Sequence, residues 1–344
     1  MMSSTDEHFM ELALREGEKG QGQTAPNPSV GAVVVRGGEI LGKGYHPGAG
    51  LPHAEVHAIA NARSQGHDLA GSEIFVTLEP CSTTGRTPPC TSAILQAGIK
   101  RVVWAADDPN PAHCGAARQI LEAAGIEVAT SVLVDEAEYL HRGFFKVQRT
   151  GLPWVIVKTA MSLDGRITRP SGEGQWLTGS EARADVQILR GEVDAILTSG
   201  ETARRDNPRL DYRGERPGKK QPVRVVATEY PLAGLPAEAH LLQPNESGAT
   251  RFVSGDLREI MASLAADGLQ TVLVEAGGKL VGQLLDAGLV DEWVTYLAPL
   301  VAGGDVVAVG GEGCSVLDER PRLKNVSYQQ FGADIRVRGL LRRD

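Results

Sequence analysis

Pro80-Cys81-Ser82-Thr83-Thr84-Gly85-Arg86-Thr87-Pro88-Pro89-Cys90, read together with His53-Ala54-Glu55 upstream, is the part of the sequence on which the reading of the fold turns. A zinc ion at a reacting centre takes three protein ligands and keeps a fourth position open for water. One imidazole and two thiolates meet that need, so His53, Cys81 and Cys90 are the candidate ligands. Water on such an ion is far more acidic than bulk water, even though two thiolates offset the formal charge of the metal. Glu55 is not a ligand in this reading; it carries a proton from that water to a departing group. Residues two apart in mid-helix point to different sides. His53 and Glu55 can therefore cooperate only if His53 lies at the helix start, directly after Pro52. A closed structural zinc site is the competing reading, but such sites take four ligands. His57 could supply the fourth, in a His-x-Glu-x-His order unlike the His-Glu-x-x-His of zinc proteases, and is read as a packed helix histidine. Cys114 and Cys314 have no partner at ligand spacing and are read as buried small hydrophobes.

Around these motifs the chain alternates between strand-like and helical stretches. Residues 30–35 and 39–45 read as strands joined at Gly37-Gly38, a hairpin signal. Pro52 precedes a helix over 53–63, 73–78 is a strand ending at Pro80, and Cys90 opens a helix that Gly98 stops. At a helix start the dipole favours a thiolate. A strand over 101–105, a helix over 116–124 and a strand over 127–134 follow, and a helix from Asp6 to about Gly17 precedes them all. A helix over 135–145 leads to a boundary near Arg149-Thr150-Gly151, giving domains 1–149 and 150–344. Beyond it, strands are expected over 154–158, 195–199, 223–227, 271–275, 292–297 and 334–340, helices over 180–190 and 279–287, and a loop over 204–222. Such alternation predicts α/β architecture in both halves. No Gly-x-Gly-x-x-Gly opens a βαβ unit, which disfavours a Rossmann domain. Ala276-Gly277-Gly278, between a strand and a helix, is instead a candidate anion site.

The 344 residues are 42% hydrophobic and 23% charged, enough for two domains with a core each. A net charge of −8, with basic residues clustered only as pairs such as Arg204-Arg205 and Lys219-Lys220, argues against a nucleic-acid partner. A small anionic substrate held by a few arginines fits better. No apolar run could span a bilayer and residues 1–20 show no signal core, so no membrane partner and a cytoplasmic address are expected. Four cysteines in a chain of this length are no disulfide framework.

His-x-Glu, then Pro-Cys and a second cysteine, is the pattern of zinc base deaminases, here with the second gap widened. The Pro80–Cys90 stretch, with Pro26-Asn27-Pro28-Ser29-Val30-Gly31, the run 46–55 and Asp108-Pro109-Asn110-Pro111, closely resembles the bifunctional deaminase/reductases of riboflavin biosynthesis. The resemblance continues through the run 158–166, Gln175-Trp176-Leu177-Thr178 and Glu275-Ala276-Gly277-Gly278, and so covers nearly the whole chain. It implies an N-terminal cytidine-deaminase-like three-layer domain and a C-terminal dihydrofolate-reductase-like α/β domain. It also implies one Zn2+ in the first, NADPH in the second, a small pyrimidine ribose phosphate as substrate, and a homo-oligomer. Asn27, His46, Arg86, Asp108 and Asn110 would border the pyrimidine. NADPH would lie against Ala160, Trp176, Thr202, Asp206, Gly277, Gly278, Lys279, Leu280, Val281, Gly282 and Gln283. Gly174, Arg190, Leu210, Arg213 and Glu275 would meet the substrate's sugar chain and phosphate, with Lys158 beside the reacting centre. Arginine suits phosphate because its planar fork binds two oxygens at once.

This sequence departs from the family pattern at Thr83, where many relatives carry histidine, and at Gly174, where relatives can carry serine; each change removes one candidate substrate contact. The competing expectation is a nucleoside or nucleic-acid base deaminase with an accessory domain. The acidic balance, the long Cys81–Cys90 loop and the reductase-like second half speak against it.

Overall fold

Ala32 and Val34 turn to one side of their strand and Val33 and Val35 to the other, and all four are buried. A strand buried on both faces needs a layer on each side of its sheet. In the computed structural model, which describes residues 4–84, 88–110, 114–167, 176–216, 219–230, 234–313 and 321–342, the chain divides into two units, Met1–Gly151 and Leu152–Asp344.

The first unit runs α1 (Ser4–Glu18), β1 (Gly31–Arg36), β2 (Glu39–Tyr45), α2 (Ala54–Ser64), β3 (Glu73–Leu78), α3 (Cys90–Gln96), β4 (Arg101–Ala106), α4 (Ala116–Ala123), β5 (Glu127–Thr130), α5 (Val134–Leu140) and α6 (Arg142–Thr150). Its sheet has the order β2-β1-β3-β4-β5. β1 is antiparallel to both neighbours, whereas β3, β4 and β5 are parallel. Ile74, Val76 and Trp104 pack with Ala58, Ile94 and Leu121 of α2, α3 and α4 on one face. Phe75 and Val103 pack with Met10, Ala137 and Phe145 of α1, α5 and α6 on the other, which completes three layers. Close approach of α2 depends on glycine in β2: a Cβ at Gly44 would lie 2.3 Å from the Ala58 nitrogen. Leu78 of β3 stands opposite Ala106 of β4. The segments leaving those two strands therefore start side by side.

The second unit runs β6 (Trp154–Ser162), α7 (Ser180–Gly191), β7 (Ala195–Ser199), α8 (Gly200–Asp206), β8 (Val223–Ala227), β9 (Arg251–Val253), α9 (Leu257–Ala266), β10 (Thr271–Val274), α10 (Gly278–Asp286), β11 (Glu292–Ala298), β12 (Arg322–Phe331) and β13 (Asp334–Arg342). The sheet order is β12-β13-β11-β6-β10-β7-β8-β9. From β11 to β9 the strands are parallel, and the β12–β13 hairpin adds antiparallel pairing at one edge. Val155, Leu197 and Val272 pack against α9 and α10. Ile156, Ile196 and Leu273 pack against α7 and α8.

Several elements differ from the expectation. Residues 251–266 form β9 and α9, where Asp256 caps the helix by accepting from the Arg258 and Glu259 amides. The loop expected from residue 204 begins inside α8. The strand at 127 stops at Thr130, because Leu133 in a left-handed conformation opens α5. His141, outside helical geometry, then separates α5 from α6. β12 is almost wholly exposed, so strand pairing and not burial makes it a strand. Among the described residues no helix is long and apolar enough to cross a membrane.

Candidate functional site

His53 is the N-cap of α2 and keeps an extended backbone, φ −70° and ψ 164°, while Glu55 lies in the first turn. The condition set by their two-residue spacing is thus met at the helix entrance. Cys90 is the first residue of α3, and Cys81 follows closely on the end of β3. The Cys90 and Cys81 sulfurs stand 3.3 Å and 3.5 Å from one ring nitrogen, His53 Nδ1. All three donor atoms lie within 4.8 Å of one another. Tetrahedral zinc, with bonds of about 2.0 Å to nitrogen and 2.3 Å to sulfur, requires N···S separations of about 3.6 Å. The donor set fits zinc.

The electrostatics ask for a cation as well. The Cys90 amide donates to Cys81 Sγ at 3.3 Å. Hydrogen bonding from the Cys90 thiol, helped by His53, overcomes burial and draws the Cys81 thiol down to about 4. Contact with Cys81, burial and the nearby Glu55 push the Cys90 thiol the other way. His53 is raised, first by its bond to Cys81. Glu55 is 3% exposed, and burial followed by the Cys81 charge lifts its carboxyl to about 7. Two thiolates, one buried and one half-buried, and a buried carboxylate this close together cannot all ionise unless a cation joins them. A carboxyl poised near neutrality can both accept and return a proton.

His46 is buried and meets His53 edge to face, with ring centroids 5.2 Å apart. Its Nδ1 faces the Pro52 carbonyl at 3.0 Å and must donate there, so Nε2 accepts from Asn27 Nδ2 at 3.1 Å. Burial lowers the His46 pKa, in keeping with that neutral ring. His57 donates from Nδ1 to the Tyr45 carbonyl at 2.8 Å, which ties it to β2. Asp108 and Asn110 follow β4, and Asp108 Oδ1 accepts from the Asn110 amide at 2.8 Å. Arg86 lies outside the described residues, as does Cys314. Cys114 is exposed and not buried, because it sits in the loop before α4, outside the three layers.

In the second unit a cavity of about 2030 Å³ opens at the C-terminal ends of the parallel strands. Lys158, Ala160, Trp176, Arg190, Thr202, Asp206, Leu210, Arg213, Glu275, Gly277, Gly278, Lys279, Leu280 and Gln283 line it. Val281 and Gly282 do not: Val281 packs into the core, and a Cβ on Gly282 would lie 2.3 Å from the Gly310 backbone. Gly174 lies outside the described residues. Trp176 is 56% exposed, with the Arg183 guanidinium 5.6 Å from its ring.

Arg190 grips Glu275 with two hydrogen bonds of 2.6 and 3.0 Å, and Lys158 Nζ stands 3.8 Å from the same carboxylate. Burial would raise Glu275, yet the two cations outweigh it and hold the carboxyl at about 2. Burial, reinforced by Arg190, lowers Lys158. Thr202 Oγ1 accepts from the Gly277 amide at 3.2 Å, and Ser199 Oγ in turn accepts from the Thr202 amide. Ser199 was not foreseen, although a serine just before a helical run is a cap signal. A Cβ at Gly277 would meet nothing nearer than Thr202 Oγ1, at 3.8 Å. The protein itself does not require glycine there. A ligand phosphate approaching the start of α10 would, so the cradle fits a dinucleotide. Leu210, held at φ 50°, is the kind of strained residue found at ligand sites.

Comparison with known proteins follows the same division. Residues 3–106 match the model of the cytidine and deoxycytidylate deaminase zinc-binding region, and residues 153–337 match the RibD C-terminal domain. The chain is 39% identical to the riboflavin biosynthesis protein RibD of Escherichia coli, over 96% of this chain and 98% of that one. Against RibD of Bacillus amyloliquefaciens it is 38% identical, covering 96% and 95%. The solved structure of Acinetobacter baumannii RibD superposes with a TM-score of 0.87 at 36% identity, covering 98% of this chain and 99% of that one. A diaminohydroxyphosphoribosylaminopyrimidine deaminase/5-amino-6-(5-phosphoribosylamino)uracil reductase from Thermotoga maritima gives 0.87 at 32% identity, covering 99% of each.

Proposed function

Because the chain belongs to the RibD family of bifunctional riboflavin biosynthesis enzymes, a zinc deaminase joined to an NADPH-dependent reductase, we propose the following division of work among its residues. The observation that carries it is the convergence of His53, Cys81 and Cys90 beside the buried Glu55.

The first unit hydrolyses the 2-amino group of 2,5-diamino-6-ribosylamino-4(3H)-pyrimidinone 5′-phosphate: one water enters at C2 and ammonia leaves. His53, Cys81 and Cys90 would hold zinc, which when bound would supply an acidified water. Glu55 takes a proton onto its carboxylate and returns it to the departing nitrogen. Asn27, oriented by His46, meets the ring edge together with Asp108 and Asn110, and amides suit an edge that carries both donors and acceptors.

The second unit reduces the ribose, opened as an imine, to the ribityl chain. NADPH when bound supplies the hydride. Ala160, Trp176, Thr202, Asp206 and the start of α10 hold the cofactor. Arg190 commits its fork to the buried Glu275, so substrate phosphate falls chiefly to Arg213, which is more exposed although it too has a carboxylate partner, Asp211. Lys158, kept beside Glu275, holds a proton at Nζ for the opening ring oxygen.

Thiol ligands need a reducing compartment, which supports a cytoplasmic address. Self-association is part of the same reading, and the exposed outer strand β12 offers an edge for it.

Incubating purified protein with the diaminopyrimidinone phosphate should release ammonia and then oxidise NADPH. Ammonia without NADPH oxidation would remove the second-unit assignment and spare the first. Glu55→Gln should keep zinc and lose about 10²–10⁴-fold in ammonia release; undiminished turnover would refute its proton-carrying role.

A further inference from the structure

Glu79 is buried, 5% exposed, and stands two residues before Cys81. None of the steps above uses its charge. Its amide donates to the Ala106 carbonyl at 2.9 Å, which fixes it to the end of β4. Its carboxylate reaches the segment that leaves the same strand. Oε2 accepts from the Asp108 amide at 3.3 Å and the Gly115 amide at 3.1 Å, and Oε1 accepts from the Ala117 amide at 3.3 Å. Among the described residues no Lys, Arg or His pairs with it. The unsatisfied amides and the positive end of α4 receive its charge instead. Gly115, the N-cap of α4, has no side chain with which to do so.

One oxygen thus closes the base of the loop between Asp108 and Gly115. Within that loop Asp108 Oδ1 holds the Asn110 amide at 2.8 Å, and the Asn110 carbonyl accepts from the Cys114 amide at 3.0 Å. A chain of hydrogen bonds thus links Asn110 to Glu79.

We propose that Glu79 is a positioning residue for the deamination: it fixes the loop bearing Asp108 and Asn110 relative to Cys81, and so fixes the pyrimidine against the metal centre without touching either. The proposal rests on the assignment of Asp108 and Asn110 to the pyrimidine pocket. Glutamine cannot replace Glu79, because it offers one acceptor oxygen and turns an N–H pair toward amide donors.

In the full chain, Glu79→Gln should lower kcat/KM for ammonia release about 10–100-fold, the scale on which supporting residues and small misplacements act. Zinc content and NADPH oxidation on substrate already deaminated should stay unchanged, and amide exchange should quicken over residues 108–110 and 114–117 alone. Combining it with Asn110→Ala should give less than the product of the two single losses, since both act through one contact. Losses that multiply, or zinc lost along with activity, would overturn the proposal in favour of a general structural role. Should Asn110→Ala impair turnover while Glu79→Gln does not, this proposal alone fails. A silent Asn110→Ala would sink the pocket assignment and the proposal with it. If Glu79→Gln does not accumulate, Glu79→Asp, with both oxygens on a shorter stem, is measured in the same way with the same outcomes.

Discussion

In the metal centre three groups that ionise to the same sign, the half-buried Cys81 and the buried Cys90 and Glu55, stand together. In the cleft, Glu275 lies between two cations, Arg190 and Lys158. The first arrangement is incomplete until a cation enters. The second is balanced before any ligand arrives. A group taken from the metal centre should therefore cost function while leaving the fold, whereas one taken from the cleft should cost both.

The largest effect is expected from Cys90→Ala. With one thiolate gone, zinc content should collapse and ammonia release should fall to background, a loss beyond the 10²–10⁴-fold of a missing proton carrier. NADPH oxidation on substrate already deaminated should continue, because the second unit has its own core. A variant that keeps stoichiometric zinc and deaminates would break the assignment of the centre. A fall in reduction as well would show that the two cores are not independent.

Glu275→Gln comes next. It leaves Arg190 and Lys158 as neighbouring cations without the carboxylate between them, and breaking a buried pair in this way costs about 3–5 kcal/mol. The thermal midpoint of the second unit should drop and NADPH oxidation should fall, with ammonia release unaffected. An unchanged midpoint would mean that water already screens the pair, and the contrast between the two sites would shrink.

The same contrast explains what could be read from the sequence. Coordination dictates residue types, and here it places them in two short motifs, so His53, Glu55, Cys81 and Cys90 could be picked out with their roles. Apart from Gly277 and Gly278, marked by their place between a strand and a helix, the cleft residues came only through the resemblance: arginine and lysine are common, and Lys158 and Glu275 meet only because β6 and β10 pair. Glu79 was passed over because its partners lie 29 to 38 positions away and no local pattern marks one acid before a proline. In the fold, strands buried on both faces were legible from their apolar runs. β12 was not, since pairing with β13 and not burial defines it.

The smallest expected effect compares the two units in acid. His141 is buried, with Nε2 3.1 Å from Thr77 Oγ1, and burial lowers its pKa from 6.5 to about 4. A depressed value means that the unfolded chain takes up the proton first. The stability His141 contributes is therefore full above about pH 6.5 and is lost as the pH falls toward 4. Glu275, held at about 2 against an ordinary 4.5, contributes stability that is full above 4.5 and lost only as the pH falls through 2. The linkage in the first unit thus begins at the higher pH. For the zinc-loaded chain, the unfolding free energy of the wild type should decline relative to His141→Gln by at most about 1.4 kcal/mol per pH unit across that window, and by about 3 kcal/mol in all. A difference flat in pH would mean that folded His141 is charged or wet, and Glu275, held down by its two cations, would then be the only one of the two that sets an acid limit.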